Sequence, residues 1–147
     1  MVDERSIDEA AVRSVLQTIV ETELAGVVRY THYALMISGP YRIPIVEFMR
    51  AQATESLDHA LAAGEILTGI SGHPTMRVAP IEESGQHGVR AILEESYGHE
   101  KRAIDIYREL LSLVEGKSVF LEEFARTQIA TEEQHLLELR KMLRDFE

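Results

Sequence analysis

The chain has no cysteine and no tryptophan among its 147 residues. Without thiolates there can be no disulfide, no cysteine-ligated zinc or iron–sulfur centre and no cysteine nucleophile. Long hydrophobic runs are missing as well: no stretch of about 20 apolar residues exists to span a membrane. The opening segment MVDERSIDEAAV is acidic and lacks the apolar region of a secretory signal, so a cytoplasmic protein is expected. Positive charge is scarce, with 15 Lys and Arg against 25 Asp and Glu and a net charge of -10. That balance argues against nucleic acid and anionic membrane as partners and favours cations. What is present is an ordinary globular composition, 45% hydrophobic and 27% charged, sufficient for a single domain over residues 1–147 with a real core.

The hydrophobic pattern is helical throughout, and no segment reads as a strand. Ser6 and Glu9 form a capping-box pair, with Asp8 adding charge to the first turn, so the first helix is expected over 7–38 and stops at Gly39-Pro40. The second is expected over 44–70, with Pro44 suited to its first turn. Gly72, Pro74 and Pro80 then interrupt the pattern across 71–81, too long a gap for a tight hairpin and suited to a crossover along a bundle. The third helix is expected over 82–115, starting at the acidic Glu82-Glu83 and ending before Gly116, and the fourth over 119–145, with Ser118 as its N-cap. The fold class is therefore all-α: a four-helix bundle of two helix pairs joined by one long crossover.

Carboxylates and imidazoles break the apolar stripes of these helices. The first stripe is Val12, Leu16, Ile19, Glu23, Val27, Tyr30, Ala34, Ile37. The second holds His59 in mid-helix, with Glu55 or Ser56 one turn earlier on a similar face. The third reads Gly88, Ile92, Glu95, His99, Ala103, Ile106, Leu110, Leu113. The fourth, in RTQIATEEQHLLELRKML, carries Glu132 and His135. Taken alone, Glu132 and His135 are as well explained by a surface ion pair, and His59 by a hydrogen-bonded core histidine. Together, Glu23, Glu55, His59, Glu95, Glu132 and His135 place four carboxylates and two imidazoles near the middle of one bundle. Buried acids repel one another and lose solvation, and two divalent cations would neutralise them. A Glu from each of two helices plus Glu-x-x-His from each of the others is the di-iron carboxylate pattern of such bundles. His73 and His87, in or near the crossover, read as solvated residues without a role.

In these residues the sequence resembles the ferritin-like proteins, bacterioferritins in particular, over about residues 15–143. ETELAGVVRYTHYALM is similar to the segment carrying the first ligand Glu with a Tyr seven residues on. HALAAGEILTGISGHP resembles the continuation after the second-helix ligand His, EESYGHEKRAI the third-helix ligand segment, and TEEQH the last ligand pair. The resemblance implies iron ligation, two ions per subunit, by Glu23, His59, Glu95, Glu132 and His135, with Glu132 bridging. It implies oxidation of Fe(II) by O2 or H2O2 for iron storage or detoxification, with Tyr30 bonding to the site or lending an electron; the plainer role of Tyr30 is a core tyrosine.

Three departures qualify that expectation. Ser56 stands where the family has a bridging Glu, so either Glu55 supplies the bridge or the site binds its second metal loosely. Leu57 stands where the family has its haem-binding Met, so no haem is expected from that ligand. The chain ends 12 residues after His135, without the short fifth helix of bacterioferritin cages. A homo-oligomer is expected, a dimer at least and a 12- or 24-subunit shell at most, with Tyr33, Ile37, Tyr41 and Phe48 as candidate contacts. Two alternatives remain at this level: a di-iron oxygenase, whose channel Ala60, Ala62, Ala63 and Gly64 would border, or a structural oligomer with a partly decayed metal site.

Overall fold

The computed structural model describes residues 7–146. Its helices are α1 (Glu9–Met36), α2 (Arg42–Gly69), α3 (Val89–Val114) and α4 (Val119–Leu143), followed by a short 3-10 turn over Arg144–Phe146. Among the described residues there is no strand, and no helix is long and apolar enough to cross a membrane. Asp8 caps α1, its side chain accepting from the Ala11 amide at 3.1 Å; Ser6, the expected cap, lies outside the described residues. Ser118 caps α4 as expected, accepting from the Leu121 amide at 3.2 Å. Pro44 falls within the first turn of α2, where its missing N–H costs no hydrogen bond.

The third helix begins seven residues later than its acidic start predicts. Glu82 to Gly88 form instead the end of the crossover. Gly85 turns at φ +74°, and Ser84 folds the segment by donating to Glu95 Oε2 at 3.0 Å and accepting from the Gln86 amide at 3.1 Å. The crossover runs beside α1 in the same direction. Arg13 reaches the Ile70 carbonyl, Thr75 bonds Gln17 and Glu21, Ala79 donates to the Glu21 carbonyl, and Glu83 lies beside His32. These contacts carry the chain from one end of the bundle to the other.

α1 packs on α2 and α3, and α3 packs on α4. The apolar core is in two parts. One gathers Val12, Leu16, Ile19, Ala63, Leu67, Leu110 and Leu121; the other gathers Tyr33, Ile37, Ile45, Met49, Ile92 and Leu139. Tyr33 and Ile37, expected at a dimer contact, are 4% and 2% exposed and belong to the second part. Phe48 packs against it too, and only Tyr41 of those four is exposed. Between the two parts lies a buried polar belt: Glu23, Gln52, Ser56, Ser96, His99, Glu100 and Glu132.

Candidate metal centre

One residue after another, the belt is built from inward positions of all four helices. Glu23 on α1, Glu100 on α3 and Glu132 on α4 are 2%, 4% and 2% exposed. His59 Nδ1 lies 2.8 Å from Glu23 Oε2 and 3.2 Å from Glu132 Oε1. His135 Nδ1 lies 3.4 Å from Glu132 Oε2 and 3.7 Å from Glu100 Oε1. Two groups result, Glu23–His59–Glu132 and Glu100–Glu132–His135, each with its ligand atoms within 4.8 Å of one another. Glu132 belongs to both and turns one oxygen to each.

These residues fit a pair of cations. Glu132 Oε2 and His135 Nδ1 are buried and have no hydrogen-bond partner among the described residues, a costly state that an ion between them would relieve. Three carboxylates with two imidazoles form a mixed oxygen and nitrogen set of the kind that suits iron.

The electrostatics show how tightly these groups are coupled. Burial raises Glu23 above the ordinary carboxylate value, assisted by the charge of Glu132 and opposed by hydrogen bonds from His59 and Tyr107. Burial acts the same way on Glu132, but the adjacent imidazoles of His135 and His59 outweigh it and hold Glu132 low. Burial would depress His59, yet hydrogen bonds to Glu132 and Glu23 lift it to about 10. His135 is raised for the same reason, by Glu132 and Glu55 against burial. The imidazoles and the buried acids thus offset one another's burial, and a cation would do the same for the acids.

Two tyrosines bond the same carboxylate oxygens that face the imidazoles. Tyr30 Oη donates to Glu100 Oε1 at 2.5 Å, and Tyr107 Oη donates to Glu23 Oε2 at 2.8 Å. Burial, with the charges of Glu132 and Glu23, raises the Tyr30 phenol well above its ordinary value, and burial with Glu23 does the same for Tyr107. Both phenols therefore remain donors.

The structure brings together Glu23, His59, Glu132 and His135, but not Glu95. The third helix places Glu100 in the belt, while Glu95 faces the crossover and accepts from Ser84 and from Tyr33 Oη at 3.0 and 3.5 Å. The expected stripe was too narrow: α3 packs against both α1 and α4, so its buried face also takes in Leu93, Ser96, Glu100 and Ile104. A signal for Glu100 was available, because Tyr107 follows it by seven residues as Tyr30 follows Glu23.

Glu55 also differs from its expected place. It is half-buried, with Oε2 3.0 Å from His135 Nε2 and Oε1 3.8 Å from His59 Nε2. Those are the outward ring nitrogens, opposite the Nδ1 atoms that face the belt. Ser56 is buried beside Gly26 and His99: a Cβ on Gly26 would lie 2.8 Å from both Ser56 Oγ and His99 Nε2. Burial, followed by the charges of Arg29 and Arg102, lowers His99 to about 4, so a neutral imidazole occupies this corner.

The chain belongs to the ferritin-like domain family, whose model matches residues 14–147. Solved structures share its fold. A ferritin-like, diiron-carboxylate protein of Bacillus anthracis is 24% identical, with TM-score 0.88 over 92% of this chain and 97% of that one. The bacterioferritin-related protein of Bacteroides fragilis, described as a dodecameric thioferritin, is 20% identical, with TM-score 0.89 over 95% and 88%. The bacterioferritin of Desulfovibrio desulfuricans, with a diiron site seen in different catalytic states, is 20% identical, with TM-score 0.84 over 92% and 80%. No curated protein matches the sequence.

Proposed function

We propose that this protein binds two Fe(II) ions inside the bundle and oxidises them, as a ferroxidase serving iron storage or detoxification. The observation that carries this reading is Glu132, buried between two imidazole–carboxylate groups with one oxygen turned to each. Glu23 and His59 hold one ion, Glu100 and His135 the other, and Glu132 lies between them. Iron supplies the redox chemistry: each Fe(II) gives up one electron, and two electrons with two protons convert O2 to hydrogen peroxide. Tyr107 and Tyr30 keep Glu23 and Glu100 aimed inward, and Glu55 sets the ring of His135 from its outer nitrogen. An outer carboxylate of that kind is how ligating histidines are commonly oriented.

An oxygenase would need an apolar approach to the site. Ala60 and Ala63 are buried and Ala62 is at the surface, which favours helix packing as the role of these small residues. Assembly into a homo-oligomer accompanies the proposal, since Leu35 and Ile43 are 71% and 77% exposed. A native mass of about 200 kDa would indicate a twelve-subunit shell.

The test is aerobic addition of Fe(II) to the metal-stripped protein. Ferric absorbance is expected to rise faster than in buffer, and Glu132→Ala to abolish the difference. A wild-type rate equal to that of buffer would end the ferroxidase reading.

A further inference from the structure

Outside the bundle interior, the crossover brings a second set of ligating side chains against α1. We propose that His32, Glu83 and His87 form a separate site for one divalent transition ion of the Zn(II) type. The three offer ligand atoms within 4.8 Å of one another. His32 Nε2 is 3.7 Å from Glu83 Oε1, and the two imidazole rings stand edge to face with centroids 5.6 Å apart. Donors around a tetrahedral ion at 2.0–2.1 Å lie about 3.4 Å from each other, so small side-chain movements complete the triangle.

Ring packing accounts for the pairing of the imidazoles but not for one of their nitrogens. His87 Nε2 is buried and has no hydrogen-bond partner among the described residues. A buried ring nitrogen without a partner is costly, and a metal bond would satisfy it. From residue order alone His87 looks solvated, because only the fold of the crossover brings it to His32.

The loop that carries Glu83 and His87 is held in place beforehand. Gly85 supplies the turn at φ +74°, and Ser84 ties the loop to Glu95, which also accepts from Tyr33. Glu95, expected at the interior site, thus anchors this one. The residues line a cavity of about 270 Å³ in which Glu82, Glu83 and Glu95 outnumber the single guanidinium of Arg29. Charge therefore favours a cation, and two imidazoles select a later first-row ion over Mg(II) or Ca(II). With the ion bound, segment 82–88 is stapled to α1, whatever the bundle interior does with iron.

The experiment uses the full chain, stripped of metal and loaded with Zn(II) alone. An anomalous difference map at the zinc edge is expected to show a peak between His32, Glu83 and His87. By equilibrium dialysis, His32→Ala and His87→Gln should each bind one Zn(II) fewer per chain than wild type, while Glu132→Ala keeps the ion at the crossover. Hydrogen exchange of segment 82–88 should slow on Zn(II) addition in wild type and not in His87→Gln. A map without that peak, or both histidine variants binding as many ions as wild type, overturns the proposal.

Discussion

Tyr30 on α1 donates its phenol proton to Glu100 on α3, and α3 returns the contact through Tyr107 to Glu23 on α1. Each of these helices holds the other's carboxylate in place, with the same seven-residue spacing from Glu to Tyr. Tyr30→Phe removes a donor to a buried carboxylate and should lower stability by about 1–3 kcal/mol. It should also slow Fe(II) oxidation while leaving the number of bound ions unchanged. Thermal unfolding and stopped-flow absorbance would report both effects; a variant with wild-type stability and rate would show that the bond is idle.

Glu95 and Glu100 make opposite predictions. Glu100→Ala removes a buried carboxylate from the belt and should slow ferric formation by at least about tenfold. Glu95→Ala should leave that rate near wild type and instead free the loop around Ser84, which limited proteolysis would detect. Equal rates for the two variants would contradict the placement of α3.

For Glu55, the expected result is a loss of affinity rather than of stoichiometry. Its carboxylate meets the outer nitrogen of His135 at 3.0 Å. Glu55→Gln should weaken Fe(II) binding by roughly 10–100-fold, as losses of such orienting partners do. Anaerobic Fe(II) titration measures it. Loss of one whole ion would mark Glu55 as a ligand in its own right.

Gly26 lets α1 approach Ser56 of α2 and His99 of α3. Gly26→Ala would put a methyl group 2.8 Å from both and should cost about 1–3 kcal/mol. Chemical denaturation gives the value directly, and an unchanged midpoint would mean the corner yields freely.

The start of α4 gives a pH signature away from the metal centre. The Gly116 amide, then Arg126, hold Glu122 below the ordinary carboxylate value of 4.5. The folded state therefore binds this proton less readily than the unfolded chain. Its contribution is full above about pH 4.5 and lost as pH falls through the folded-state value. Glu122→Gln should melt below wild type at pH 7, and the gap should close as the pH falls through the folded-state value. A gap independent of pH would assign the effect to shape alone.

Much of this was readable from residue order, and the parts that were not share a cause. Glu23, His59, Glu132 and His135 stand among aliphatic residues at helical spacing, and a carboxylate in such company announces itself. Glu95 and Glu100 sit on opposite margins of a broad buried face, and only packing against α1 and α4 decides between them. Glu82 and Glu83 look like a helix start, and nothing local reveals that Ser84 will reach a carboxylate eleven residues on. His87 is similar, since its neighbour His32 lies more than fifty residues away in sequence.

The apolar interior is interrupted at mid-length by acids, and this has a cost for the molecule's ruggedness. Replacing Glu23, Glu100 and Glu132 together with aliphatic residues would join the two greasy halves and should give a tougher rod that melts later and does nothing with iron. By the same reasoning, chelation should soften the natural protein at its waist first, so that amide exchange quickens there before either end loosens.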